Sequence, residues 1–186
     1  MRKSIITALL AIVTLVAGAQ NVGDATKLLG KSNDKAKEAI DKMIADPNNA
    51  KNAEVWYAKA QIYNALATDD KFKTSIPDAY EQAFEAFKKA YDIDPNDKLM
   101  ILDQYKTGFV AYEGIANRAA AAYQANNLAV AFEGYKKTLE YGDYLKSKDL
   151  AYSGYKVPKI DTGMVFMAGY TAMKLDKNDE AMTYFT

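Results

Sequence analysis

Ala83-Phe-Glu-Ala-Phe-Lys-Lys89 recurs as Ala131-Phe-Glu-Gly-Tyr-Lys-Lys137, and a fainter copy stands at Ala181-Met-Thr-Tyr-Phe-Thr186. Five of the seven positions in the first two copies are identical and the other two conservative. Within each copy the apolar residues fall three and four apart, the spacing of one helix face. A helix of this kind cannot bury its apolar stripe alone, so a chain that repeats the unit must stack one copy on the next.

The surrounding sequence is also helical in pattern. From Ala79 to Asp92 the residues Ala79, Tyr80, Ala83, Phe84, Ala86, Phe87, Ala90 and Tyr91 form one broad face, with Glu81, Gln82, Glu85, Lys88 and Lys89 opposite. Strand-like alternation is absent over any useful length, and abundant Ala favours helix and lets helices approach closely. Prolines at 47, 77, 95 and 158 each interrupt the pattern and read as boundaries between elements. Asn33 to Asp46 predicts an amphipathic helix with Ala36, Ala39, Ile40, Met43 and Ile44 on one side. Residues 98–124 predict one long helix, kinked at Gly108 and Gly114. Lys146 to Ile160 predicts a loop closed by Pro158. The fold class is all-α. The expected divisions are a leader over 1–19, an N-terminal packing helix in 20–52, helix pairs in 53–97 and 98–145, and a loop with an incomplete pair in 146–186.

The spacing of these residues resembles the tetratricopeptide repeat family, whose unit of about 34 residues places an aromatic, a small residue and Tyr on a first helix. Its second helix carries Ala, an aromatic and Ala, followed by Pro. Trp56, Ala60 and Tyr63 match the first helix, and Ala83, Phe87, Ala90 and Pro95 the second. The separation of Tyr63 from Ala83 departs from the pattern by an inserted polar segment around Leu66 to Pro77. The second copy is looser: Ile115, Ala119 and Ala122, then Ala131, Tyr135 and Thr138, with Asp143 in place of Pro. The third has Val165, Gly169 and Ala172, then Ala181 and Phe185, where the chain stops without a polar closing helix, as expected of a longer repeat protein cut short. The resemblance spans about residues 53–186. It implies a solenoid of antiparallel helix pairs in a right-handed superhelix, with small residues at 60, 119 and 169 at close approaches and aromatics at 56, 87, 135 and 185 filling the space between pairs.

Met1-Arg2-Lys3, the apolar run Ile5 to Val16 and Ala17-Gly18-Ala19 together form the three-part pattern of a secretory signal peptide cleaved after Ala19. The run is shorter than the ~20 residues a spanning helix needs. The expected product is exported, periplasmic or secreted from a bacterium, with no integral membrane span. Loss of Arg2 and Lys3 leaves acidic side chains in slight excess. The chain has 24 basic and 24 acidic residues, no His and no Cys. That removes disulfides, thiolate nucleophiles, a lipid-anchored Cys, the Ser-His-Asp triad and most zinc sites. Zero formal net charge disfavours nucleic acid as a partner.

The remaining motifs read as structural. Asp161-Thr162-Gly163 matches an aspartic-protease triplet but is single and opens a helix, where Asp161 or Thr162 serves as N-cap. Asp92-Ile-Asp94-Pro-Asn96 starts like a calcium loop, with Asp103 at its twelfth place, yet Asp97 stands where Gly is required. It reads as a helix end followed by an N-cap. Asp176 to Glu180 is a turn plus an acidic helix start. No phosphate-binding glycine loop occurs, and Lys88-Lys89 and Lys136-Lys137 are pairs on solvated faces. No metal or cofactor is called for. Of the 14 tyrosines, Tyr135, Tyr141, Tyr144, Tyr152 and Tyr155 are clustered. They either fold back over the core or form a recognition surface, and folding back is the favoured expectation.

The leading expectation is a non-catalytic exported scaffold that binds a protein or peptide. By the tetratricopeptide resemblance its concave face carries Tyr57, Gln61 and Asn64, then Glu113, Asn117 and Tyr123, then Phe166, Tyr170 and Met173. Tyr57, Gln61 and Asn64 are expected half-exposed, beside a buried stripe of Trp56, Ala60 and Tyr63. The face has no Arg or Lys clamp, which disfavours a carboxylate or phosphate as main anchor. The alternatives are a glycan-binding or envelope-assembly component and, behind it, a carboxylate-dependent enzyme.

Overall fold

The computed structural model describes residues 22–186; the leader expected over 1–19 and its cleavage point lie outside these. The described residues are all-α. In chain order the helices are α1 (Val22–Thr26), α2 (Asn33–Ala45), α3 (Ala53–Thr68), α4 (Ala79–Ile93), α5 (Lys98–Leu102), α6 (Lys106–Gln124), α7 (Leu128–Ser147), α8 (Thr162–Lys174) and α9 (Asn178–Phe185). A 3-10 turn, Pro47–Asn49, joins α2 to α3.

Polar residues in the connections start these helices. The Asn52, Asp97, Asn127 and Asp161 side chains accept from backbone N–H groups of the first turns of α3, α5, α7 and α8, satisfying donors that have no partner within the helix. Four helices end in one geometry. Gln104, Asn126, Asp149 and Asp176 adopt left-handed backbone. The residue after each donates its N–H five residues back, to Met100, Ala122, Leu145 and Ala172. This is a Schellman closure, for which glycine is the usual residue.

The helices pack pairwise, α3 on α4, α6 on α7 and α8 on α9, with α4 against α6 and α7 against α8 joining the pairs. The α6/α7 pair is antiparallel. A Cβ on Gly134 would stand 2.7 Å from Ala119 Cβ, and further along a Cβ on Gly142 would reach the Tyr112 ring at 3.3 Å. Gly169 admits the Phe185 ring in the same way, where a Cβ would be 2.5 Å from the ring. The small residues at 119 and 169 therefore lie at helix contacts. The largest core cluster spans α1 to α6 and part of α7 around Ile62, Leu66, Phe84, Phe87, Met100, Phe109 and Ile115. Burying a side chain such as Phe84 or Phe87 contributes about 1.5–3 kcal/mol. Two smaller clusters serve the last helices, one around Tyr135 and Ala168 and one around Phe132, Ala172 and Ala181.

Three expectations are corrected. The helix expected over 98–124 is two helices, because the backbone turns left-handed at Gln104 and Tyr105 and Asp103 accepts the Thr107 N–H at the start of α6. Gly108 and Gly114 are not kinks but contact points for the Phe87 and Tyr80 rings, where a Cβ would collide. Trp56 is only half-buried at the edge of the core, although Phe87 and Tyr135, assigned the same packing role, are fully buried. Phe185, the fourth of that set, is 46% exposed.

Candidate functional site

The expected binding face divides into a part covered by the chain itself and a part left open. In the covered part, Tyr57 is 1% exposed and Asn64 8%. The half-exposed stripe expected for them is thus corrected: α5 and the start of α6 lie over this side of α3. The Tyr57 hydroxyl donates to the Asp103 carboxylate, whose same oxygen accepts the Thr107 hydroxyl at 2.7 Å and the Thr107 N–H at 3.1 Å. Asn64 donates to the Thr107 carbonyl at 2.8 Å, and its own Oδ1 is buried without a partner. Gln61 stays half-exposed. With Tyr57, Leu99, Leu102 and Asp103 it lines a cleft of about 500 Å³ that α1 closes through Val22 and Thr26.

The open part lies on α6 and α8. Glu113 and Asn117 are exposed on α6 but apart from the aromatic group; Asn117 borders a separate cleft beside Tyr80 and Arg118. Tyr123, Phe166 and Tyr170 are brought together. Phe166 and Tyr170, one helical turn apart on α8, stack nearly parallel with centroids 5.7 Å apart. Tyr123 of α6 meets Tyr170 at 6.3 Å, and Phe185 of α9 meets Phe166 at 6.3 Å. Met173 continues the α8 stripe. Phe166 is 56% exposed and Met173 51%. Two cations stand nearby: Arg118 is engaged by the Glu81 carboxylate and the Pro77 carbonyl, and Lys174 lies over the Tyr170 ring at 5.4 Å.

The clustered tyrosines mostly fold back. Tyr141 is buried and stacks on Phe84 with centroids 4.0 Å apart. Tyr144 donates to Asp92 at 2.9 Å. Tyr152 and Tyr155 close a tight turn whose centre, Ser153-Gly154, is left-handed, and both rings lie against Phe109. Burial pushes the hydroxyls of Tyr57, Tyr63, Tyr112, Tyr141 and Tyr144 well above the usual tyrosine range, and neighbouring carboxylates add to this. Such hydroxyls act as hydrogen-bond donors rather than as bases at neutral pH. Asp161 caps α8 through the Met164 N–H at 3.0 Å, as the N-cap reading expected. Among the described residues no cluster of three acidic side chains could hold a metal ion, and no helix is long and apolar enough to cross a membrane.

A further groove of about 570 Å³ runs between α3 and the outer face of α4, with Trp56 in its wall beside Lys59 and Lys89. The sequence does not single it out, because Trp56 fits a packing position and Lys88-Lys89 a solvated helix face. The available signal was the single Trp of the chain three residues before a lysine, which places both on one helix side. Compared with protein-family models, curated proteins and solved structures, the chain matches none.

Proposed function

We propose that the chain is a non-catalytic, exported, tetratricopeptide-like scaffold that binds a protein or peptide segment through the aromatic face of α6 and α8. The observation that carries this reading is the group formed by exposed Phe166 and Met173 with half-buried Tyr170 on α8, joined by half-buried Tyr123 of α6. Rigid aromatics held on helices offer large contact area at low entropic cost, the usual character of a binding hot spot. The solenoid reading draws support from the order of packing, in which each pair meets the next through its second helix, and from close approaches at Ala119 and Gly169. With Arg118 held by Glu81, the segment recognised is apolar or aromatic rather than anionic.

The test is selection from a displayed random-peptide library, followed by affinity measurement of the enriched peptides. They are expected to carry aromatic or aliphatic anchors and to lose at least about tenfold in affinity, roughly 1.4 kcal/mol, to a Phe166→Ser, Tyr170→Ser double variant of unchanged helical circular dichroism. Equal affinity for both proteins overturns the reading. Export has its own test. Mass spectrometry of the protein made in a bacterial host is expected to show an N-terminus at Gln20, and recovery with Met1 from the cytoplasm refutes it.

A further inference from the structure

The groove between α3 and α4 differs in chemistry from the aromatic face. Its carboxylates already have partners. Glu81 pairs with Arg118, Asp92 with Lys148 and the Tyr144 hydroxyl, and Asp78 with the Gln82 amide; Glu85 neighbours the Tyr141 hydroxyl. Its cations do not. Among the described residues neither Lys59 nor Lys89 makes an ion pair or a side-chain hydrogen bond. Both ammonium groups instead converge on one indole, 5.7 and 3.7 Å from the Trp56 centroid. The indole is held in place by its Nε1–H, which donates to the Ala50 carbonyl at 3.3 Å. Lys59 also lies 5.0 Å from the Tyr63 ring; burial lowers its pKa, with the Lys37 and Lys89 charges adding to this and the Asp41 and Asp78 carboxylates, neither at ion-pair distance, opposing it. Two like charges brought to one ring repel, and a cation–π contact recovers only ~0.5–2 kcal/mol. An anion paired with these ammonium groups offsets that repulsion and accepts charge-assisted hydrogen bonds.

We propose that this groove binds a six-membered ring carrying a carboxylate, with the ring taking the place of the exposed Lys89 ammonium on the Trp56 indole and the carboxylate paired with Lys59 and the displaced Lys89. The volume, about 570 Å³, falls within the range of small-ligand clefts, roughly 300–1,000 Å³. The shared chemistry has two sources, an acidic sugar of a glycan or a free aromatic acid. The site is independent of the aromatic face on α6 and α8, since none of its residues lies on those helices.

Trp56 is the only tryptophan, so its fluorescence reports on the groove directly. The full chain is titrated with trigalacturonate, with benzoate and, as the neutral counterpart, with maltotriose. A saturable emission change is expected with an acidic ring, at least about tenfold weaker in Lys89→Gln and weakened by added salt, with Lys35→Gln on α2 unaffected. Trigalacturonate alone responding assigns the site to an acidic glycan, and benzoate responding more tightly assigns it to an aromatic acid. No saturable change with either, an equal response to maltotriose, or full affinity in Lys89→Gln overturns the proposal. Lys89 is exposed, so its variant keeps the test decisive if Lys59→Gln fails to fold.

Discussion

The Tyr57 hydroxyl donates to the Asp103 carboxylate, so one hydrogen bond ties the N-terminal part of α3 to the turn that opens α6. Thr107 gives the same oxygen its N–H and its hydroxyl, and all three donors are buried or nearly so. Removing the acceptor strands them together. Asp103→Ala is expected to cost about 2–4 kcal/mol, combining lost capping with unsatisfied buried donors. Tyr57→Phe, which leaves Asp103 two donors, is expected to cost about 1 kcal/mol. Urea unfolding followed by circular dichroism checks the order, and a larger loss in Tyr57→Phe refutes this account.

Alkali is expected to unfold the protein more readily than a chain with ordinary tyrosines. Burial raises the pKa of Tyr57, Tyr63, Tyr112, Tyr141 and Tyr144 in the fold, so folding favours the protonated phenols. The sign follows from linkage: this stability is fully present below the unfolded value near 10 and is lost as pH rises above it toward the folded values. Melting temperature is expected to hold between about pH 7 and 9 and to fall by more than about 10 °C by pH 11. A flat profile to pH 11 refutes it.

Gly134→Ala tests whether close packing outweighs helix propensity. In an exposed helix the change stabilises by about 1 kcal/mol. Here the new Cβ would stand 2.7 Å from Ala119 Cβ, and separating α6 from α7 costs about 1–3 kcal/mol. Net destabilisation is expected in a thermal melt. Gly163→Ala, at the start of α8 with only the Asp161 carboxylate nearby at 3.5 Å, is expected to be neutral or stabilising.

These cases also mark how far the sequence was legible. Residues with one dominant local cause were readable: Asp161 and Asn127 as caps, Pro95 as a boundary, Ala83 and Ala131 as buried faces. The break at Gln104 and Tyr105 was not, because left-handed backbone is usually announced by glycine and here falls on ordinary residues. Tyr57 and Asn64 were misread for a different reason. Position on a helix face is local, but what covers that face is tertiary, and α5 arrives from some forty residues away. Phe166 and Tyr170 share one stripe because i and i+4 lie on one face whatever packs nearby. Their meeting with Tyr123 depended on the α6–α8 geometry, which periodicity does not encode.

Phe87→Ala and Trp56→Ala separate the core from its edge. The spacing of the sequence treats both aromatics as equivalent packing sites. Phe87 is fully buried and its ring fills the space above Gly108, so its removal leaves a cavity that neighbouring helices cannot fill without moving. The expected cost is about 3–5 kcal/mol. Trp56 is half-buried, with one side of its ring against lysine rather than packed core. Its removal opens no closed cavity and forfeits part of its burial and two weak cation–π contacts, about 1–2 kcal/mol in all. Urea unfolding monitored by circular dichroism, which needs no tryptophan signal, compares the two. A Trp56→Ala loss equal to that of Phe87→Ala would mean that the indole is a core residue, and the groove beside it would then be a packing seam instead of a binding site.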